Sequence, residues 1–409
     1  MESSNRKPRL AVVSPFLDKS HGTERMVVEW IDHLADAYEI HVYSQQVDDL
    51  DRSKIVFHRV SRLPGPHLFN FLWWFWANGW RRRRDTHFDG LKFDLVYSPG
   101  INCLDADAVT VHIVFAELLR RVRPEISFAN NRVGLWPRLL HRWLYYRTVI
   151  FFERRVFAGA SAQLILTAPQ SAGEIRHFYG RSEMFPVVPA GINHTEFNPT
   201  ARTQLRVSAR KVLGVSGDRF VLLLIGNDWR KKGLGTLLNA FDDLVGLPID
   251  LLVVGQDDSA PFAPTIREKS LEGRVHFLSP RKDVEFYYAA ADAYTGPSLE
   301  DTFALPASEA MACGLPVIIS SRAGASSLIT HGKDGFVLDD PTDAKKLAAL
   351  IRSLYQDSSL RERMGQHAAT TAAKYTWARS AQELSAIFQQ ILVRKGNARG
   401  VDTTPEPLL

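Results

Sequence analysis

Two stretches of this chain carry side chains suited to gripping a small molecule rich in hydroxyls and negative charge. In "SLEDTFALPASEAMACGLPVIIS" (298–320), Glu300 and Asp301 precede an apolar, small-residue run, and Glu309 follows Asp301 by eight positions. A loop acid followed by a helix would leave Phe303, Ala304 and Leu305 at the helix start, with backbone N–H groups open to an anion. Glu309 would then lie just over one turn into the helix, where a carboxylate can accept hydrogen bonds from vicinal hydroxyls. The plainer reading is a helix with one capping acid and one exposed acid.

The second stretch is "GNDWRKKGL" (226–234), in which Arg230, Lys231 and Lys232 stand in a row before Gly233. Cations in a loop can neutralise phosphate and add charge-assisted hydrogen bonds. A solvated basic turn is the alternative. Two weaker candidates lie in the first half. "SPFLDKSHGTER" places Gly22 and Thr23 at the start of a helix, where a glycine allows close backbone approach. "VTVHIVF" ends a strand on His112, which could donate to a hydroxyl or steady developing charge. A lone histidine in an apolar run is by default a satisfied core residue.

These loops need elements to hold them. Apolar strands ("LAVVSP", "EIHVYSQQ", "FDLVYSPG", "AVTVHIV", "AQLILTA") alternate with helical patterns, and the scheme restarts with "RFVLLLIGND", "IDLLVVGQDD", "RVHFLSP", "DAYTGPS", "LPVIIS" and "DGFVL". Such alternation predicts parallel sheets covered by helices. At 409 residues the chain suits two domains. Two doubly wound domains put their ligand crevice at the carboxyl ends of the strands, hence between them. The expected division is 1–205, 206–376, a C-terminal helix at 377–395 crossing back to the first domain, and a disordered tail at 396–409.

Composition narrows the class. Charged residues make up 23% and apolar ones 45%, ordinary for a globular chain. Cys103 and Cys313, the two cysteines, read as reduced core residues of a cytoplasmic protein. No signal-peptide segment and no run of about 20 apolar residues is evident. Net charge is +5, and the arginine excess sits early. "RRRR" at 81–84 follows the aromatic run "LFNFLWWFWANGW", and residues 118–155 hold nine arginines against two glutamates, with Trp136, Trp143, Tyr145 and Tyr146 interleaved. Aromatics beside arginines suit an anionic bilayer surface, at the inner face of the cytoplasmic membrane. The alternative is a helical face packed on its own core. Nucleic acid is not expected, because no recognition motif accompanies the charge. A dehydrogenase is set aside, since no Gly-x-Gly-x-x-Gly follows the first strand.

The motifs together resemble the retaining, nucleotide-sugar-dependent glycosyltransferases of family 4, which have the two-domain GT-B architecture. "PSLEDTFALPASEAMACGLPVIIS" is similar to that family's signature Pro-Ser-x-x-Glu-Gly-Phe-Gly-Leu-x-x-x-Glu-Ala-Met-Ala-x-Gly-x-Pro-Val. "HGTERMVVEWIDHLA", "VTVHIVF", "VVPAGINHTEFNP", "IGNDWRKKGLGTLLNAF", "AGASSLITHGKDGFVL" and "YTWARSAQELSAIF" support it in chain order.

The resemblance implies two Rossmann-like parallel-sheet domains facing across a cleft. It also implies hexose transfer from a UDP-, GDP- or ADP-sugar to an acceptor hydroxyl, with no metal required. Asp301 would contact the donor sugar, with Glu300 beside it as the alternative acid, and Glu309 would hold the ribose. Thr302, Phe303, Ala304 and Leu305 would present amides to the sugar and distal phosphate. Lys232 with Arg230 or Lys231, backed by Gly226, would grip the diphosphate, and Gly22 and Thr23 would approach it from the first domain. His112 would lie near the sugar, and Arg281 in "LSPRKD" near the base. His112, Asp301, Glu309 and Lys232 form the expected catalytic set.

An acceptor in polysaccharide, lipopolysaccharide or glycolipid synthesis, itself lipid-linked, fits the basic first half. Four positions depart from the family: His21 replaces a glycine, Asp301 a glutamate, Ala304 a glycine and Ser327 a glutamate. Two rivals stay open. A metal-dependent transferase would use "DAD" at 105–107. A non-catalytic protein of the same fold would only bind a nucleotide sugar or scaffold a complex.

Overall fold

The structure is a computed structural model that describes residues 6–123, 126–130 and 132–401. The chain divides into two compact units, 1–189 with 377–409, and 190–376. Each is built on a six-stranded, all-parallel sheet.

In chain order the first unit holds β1 (Arg9–Val13), β2 (Phe16–Leu17), α1 (Gly22–Leu34), β3 (Glu39–Ser44), β4 (Gln46–Val47), β5 (Ile55–Arg59) and α2 (His67–Phe88). Then follow β6 (Leu95–Pro99), β7 (Ala108–Val111), α3 (Phe115–Val122), α4 (Trp136–Phe157), β8 (Gln163–Leu166) and α5 (Ser171–Tyr179). The main sheet has the order β5-β3-β1-β6-β7-β8, while β2 and β4 pair separately. Residues of β1, β6 and β7 such as Leu10, Val12, Leu95 and Val109 are almost wholly buried. Helices on both faces demand apolar side chains on both faces, which is why these strands read as continuous Val/Leu runs.

The second unit holds α6 (Pro199–Val212), β9 (Phe220–Ile225), α7 (Leu234–Ala240), β10 (Ile249–Val254), α8 (Ala263–Glu268), β11 (Val275–Leu278) and α9 (Glu285–Ala290). Then come β12 (Ala293–Gly296), α10 (Leu305–Ala312), β13 (Val317–Ser320), β14 (Phe336–Leu338), α11 (Ala344–Gln356) and α12 (Ser358–Ala372). Its sheet runs β11-β10-β9-β12-β13-β14. Counted by chain order within each sheet, both arrangements read 3-2-1-4-5-6, the doubly wound order. The strand order reverses between β1 and β6 in one sheet and between β9 and β12 in the other. At that point two neighbouring strands send their loops to opposite sides, and a recess opens at their carboxyl ends.

Two expected boundaries move. Residue 205 falls inside α6, and that helix belongs wholly to the second unit. Arg206 and Arg210 donate to the Asp292 carboxylate at 2.6 and 2.7 Å, and Arg202 to the Ala291 carbonyl, so the helix is tied to the end of α9. The last helix, α13 (Trp377–Val401), runs past 395. Of the expected tail, 402–409 lie outside the described residues. α13 returns to the first unit: Ser380 accepts from the Trp30 indole at 2.8 Å, and the Phe388 ring meets those of Tyr38 and Tyr97 edge-on or tilted.

Candidate functional site

In the second unit β9 and β12 are hydrogen-bonded neighbours, with Ala293 opposite Leu222 and Tyr294 opposite Leu223. The loops that leave their carboxyl ends therefore begin side by side. One is 226–233 and the other 297–304. They carry the cations and the acids that the sequence singles out.

The basic loop is pinned from below. Trp229 is 2% exposed and its ring tilts against Phe277, while its backbone N–H donates to Asp257 at 2.7 Å. Asp228 turns the chain with φ 56°, and its carbonyl accepts from the Lys232 N–H. With Trp229 fixed inward, Arg230 and Lys231 are left exposed. Lys231 pairs with Asp228 at 2.8 Å. Lys232 points the other way, its stem lying along Gly226. A Cβ on Gly226 (φ 145°) would stand 2.9 Å from the lysine Cε, so the glycine clears a path for the side chain.

The acidic loop meets that lysine. Lys232 Nζ lies 2.5 Å from Asp301 Oδ2, and the pair is mostly shielded, at 20% and 11% side-chain exposure. The other Asp301 oxygen accepts from the Ala304 N–H at 3.1 Å. Two backbone features lock the loops together. The Leu299 N–H donates to the Lys231 carbonyl at 2.7 Å, and Gly233 (φ 80°) abuts Pro297 so closely that a Cβ would sit 2.0 Å from its carbonyl oxygen. Asp301 thus occupies the position beside Lys232. Glu300 and Thr302 are half-buried in the same loop.

Past the loop, Ala304 adopts the left-handed conformation (φ 70°, ψ 58°) as the residue before α10, and no side chain caps the helix. Pro306 has no N–H and the Ala307 N–H donates to the Ala304 carbonyl at 2.9 Å, which leaves the Leu305 amide at the helix start. Phe303 and Leu305 are buried, and the Phe303 carbonyl accepts from Ala325. Ser327, where the family carries glutamate, turns its hydroxyl to the Gly324 carbonyl at 2.8 Å.

Glu309 projects from α10 and is 4% exposed. The Tyr288 hydroxyl from α9 donates to its Oε2 at 2.6 Å, and burial together with that carboxylate pushes the phenol far above its usual range. Tyr294, wholly buried on β12, is raised by burial and also by both Asp301 and Glu309. The two loops thus bring Lys232 and Asp301 into contact, and Glu309 lies further along the helix that follows the acidic loop.

Arg281, Gly22, Thr23 and His112 come from other segments. Arg281 follows the outer strand β11 and closes onto Asp283 with two hydrogen bonds, 2.9 and 2.7 Å, above the Phe286 ring. Gly22, Thr23 and His112 belong to the first unit. Gly22 begins α1 after His21, which is extended and offers no side-chain cap to the helix; its ring lies instead within 3.0 Å of both Asp18 oxygens.

His112 follows β7 and is 8% exposed, yet neither ring nitrogen has a partner among the described residues. Burial holds its pKa down to about 4, so the imidazole is neutral and offers one donor and one acceptor. It is not the satisfied core histidine that an apolar run predicts by default. A buried polar group left unpaired costs stability, and a ligand that pairs it recovers that cost.

The sequence misses what holds this histidine's neighbourhood. Glu153 of α4, fully buried, accepts from the N–H groups of Phe115 and Ala116 at 2.7 and 3.1 Å, capping α3 three residues after His112. The Tyr179 hydroxyl also donates to it. The Asp-x-Asp at 105–107 is split between structural ion pairs, Asp105 with Arg82 at 2.7 Å and Asp107 with Lys395 at 2.8 Å. Among the described residues no group of three or more His, Cys, Asp or Glu converges.

Comparison with known proteins bears on the family and the fold. Residues 20–196 match the family described as Glycosyltransferase Family 4, and residues 206–371 the one described as Glycosyl transferases group 1. The chain is 30% identical over 258 residues to a D-inositol 3-phosphate glycosyltransferase of Corynebacterium kroppenstedtii, covering 60% of this chain and 56% of that one. It is 30% identical over 247 residues to the lipopolysaccharide glucosyltransferase WaaG of Escherichia coli, covering 58% and 63%. The matched part thus spans little more than half the length of these relatives.

Among solved structures, WaaG superposes with a TM-score of 0.74 at 20% identity, over 92% of this chain and 99% of that one. Anabaena HepE in complex with UDP-glucose gives 0.69 at 20% identity, over 93% and 99%. The shared fold is GT-B.

Proposed function

The chain belongs to the family 4, group 1 glycosyltransferases, and from that premise we propose that it moves a hexose from a nucleoside-diphosphate sugar to an acceptor hydroxyl with retention of anomeric configuration. The observation that carries this reading is the Lys232–Asp301 pair at the point where the second sheet reverses its strand order. A recess there with a cation, two acids and an uncapped helix start suits a ligand that has a pyrophosphate at one end and hydroxyls at the other.

In this reading the diphosphate competes with Asp301 for the Lys232 ammonium. The freed carboxylate then accepts from sugar hydroxyls, and Glu309, already bonded to Tyr288, accepts from the ribose. As the glycosidic bond breaks, negative charge grows on the leaving diphosphate. Arg230, Lys231, Lys232 and the Leu305 amide at the start of α10 stabilise it, a role that a divalent cation plays in other transferases. His112, being neutral, serves as a hydrogen-bond partner of the sugar rather than as a charge, and Gly22 and Thr23 add backbone contacts to the phosphates. Arg281 reaches the base only after exchanging its partner Asp283.

WaaG and HepE support the choice of substrates. The first is described as acting in lipopolysaccharide biosynthesis and the second was solved with UDP-glucose. A sugar acceptor on a lipid-linked polysaccharide, lipopolysaccharide or glycolipid follows by the same reasoning. The test is a panel of UDP-, GDP- and ADP-sugars with and without a lipid acceptor, with and without EDTA, reading nucleoside diphosphate release and the anomeric configuration of the product. EDTA-insensitive transfer with retention is the expected result. Binding without turnover of any donor would leave only a nucleotide-sugar-binding protein.

A further inference from the structure

Two long helices of the first unit carry unusual outward faces. On α2, Phe69, Trp76 and Trp80 are 64, 59 and 54% exposed, with Leu72 between them. The spacing of three or four residues puts all four on one stripe. On α4, Trp136, Leu140, Trp143, Leu144 and Phe151 form a second exposed stripe. The helices are neighbours: Phe71 and Phe75 of α2 pack on Tyr145 and Phe152 of α4, with Phe75 stacked on Phe152 at 4.3 Å between ring centroids. Their inner aromatic sides are consumed by this contact. The outer ones are not.

Charge on these helices has one sign outside. Arg84 lies over Trp80 at 6.0 Å, Arg147 over Trp143 at 5.9 Å and Arg155 over Phe151 at 4.4 Å. Each helix contains a single carboxylate, Asp85 in α2 and Glu153 in α4, and both are buried, at 1 and 0% exposure. The exposed faces therefore mix tryptophan, leucine and arginine with no acid at all.

We infer that the α2 and α4 faces seat the protein on an anionic lipid bilayer, with the indole and leucine side chains at headgroup depth and the arginines on lipid phosphates. Such rings favour the interface, arginine stems lie along apolar surface while their heads reach phosphate, and anionic lipid attracts the row of guanidiniums. No helix among the described residues is long and apolar enough to cross a membrane, so the contact is one of lying on the surface. A second copy of the chain is a poorer occupant, because it would oppose arginine to arginine. A neutral protein groove would leave the guanidiniums unpaired.

The experiment sediments the full chain with vesicles of phosphatidylcholine alone and of phosphatidylcholine with phosphatidylglycerol, at low and at physiological salt. Wild type is expected to bind the anionic vesicles, to bind the neutral ones at least tenfold more weakly, and to weaken as salt rises. The variants Trp76→Ser/Trp80→Ser/Trp143→Ser and Arg147→Glu/Arg155→Glu should each lose about tenfold or more in anionic-vesicle affinity while keeping the wild-type circular dichroism and Tm. A single-site Trp80→Ser, expected to lose less, keeps the test open if the triple variant fails to fold.

No binding of wild type to anionic vesicles at low salt would overturn the inference. So would equal binding by folded variants, or a dimer in light scattering that the tryptophan changes dissolve while vesicle binding stays unchanged. The assay contains no donor and no acceptor, so its failure leaves the transfer reaction untouched.

Discussion

Lys232 Nζ and Asp301 Oδ2 stand 2.5 Å apart although 69 residues separate them in the chain. What joins them is the adjacency of β9 and β12, strands one and four of the second sheet. A cation so placed, mostly shielded and already balanced by an acid, changes partner more readily than it adds one. Replacing Lys232 with alanine should therefore cut transfer by roughly 10²-fold or more, the scale expected for removing one group that meets charge developing in the transition state. Glu309→Ala should do the same. Steady-state kinetics beside circular dichroism checks this; turnover at the wild-type level in both variants would remove the assignment.

Ala304 carries φ 70°, a conformation costing an L-residue roughly 1–2 kcal/mol. Ala304→Gly relieves that strain but loosens the unfolded chain, so a net gain of about 0.5–1 kcal/mol is expected. Thermal unfolding reads it. Ala304→Val should move the other way, since a β-branched side chain tolerates positive φ worse still.

Gly233 has no such freedom to change. A methyl group there would meet the Pro297 carbonyl at 2.0 Å, and φ is already 80°. Gly233→Ala should destabilise by about 2 kcal/mol or more and spread the two loops that align Lys232 with Asp301. Activity measured well below the variant's Tm should remain depressed, which separates the loop effect from simple unfolding.

The pH dependence of stability has an identifiable source in Glu153. Burial lifts its pKa from 4.5 to about 7, against the lowering effect of the Tyr179, Phe115 and Ala116 donors. The folded protein thus holds a proton that the unfolded chain releases between those values. Stability from this group falls as pH rises through the window, by on the order of 3 kcal/mol in all. Glu153→Gln removes the titration, so its stability relative to wild type should rise between about pH 5 and 8. Urea unfolding at both values tests this; parallel shifts would mean that the three donors cancel the burial.

His112 works in the opposite sense. Its pKa is held at about 4, below the usual 6.5, so the folded state binds fewer protons between the two and loses stability on acidification. Transfer by wild type and by His112→Asn should share one pH profile above about pH 5.5, with the variant about tenfold slower or worse. An ionisation near 6.5 that disappears with the histidine would show that it acts as a cation instead.

Much of this was legible in the residues themselves. Strand runs of Val and Leu betray sheets covered on both faces, and Asp301, Glu309 and Lys232 stand out as candidates by type, with roles implied only by the family resemblance. What stayed hidden depends on partners far along the chain. Tyr288 looks like an ordinary apolar-helix tyrosine until α9 is set beside Glu309, and Glu153 looks like one more acid among arginines until it is found beneath α3. Trp229 reads as part of a basic run, whereas its burial is what sends Lys232 and its two neighbours to different sides. The same limit applies to α2 and α4. Composition gives their aromatics and arginines but not which of them face outward. The domain boundary expected at 205 moves because α6 reads in sequence as a polar connector, whereas its three arginines are tied to the end of α9.

The last helix holds one more consequence. Because α13 completes the first unit with Trp30–Ser380 and the Phe388 contacts, that unit's closing piece is made only after the whole of the second unit. The segment 190–376 can mature earlier, whereas the portion before it must wait, unfinished, until α13 has emerged. Truncation after 376 would accordingly damage the part of the protein made first rather than the part beside the cut.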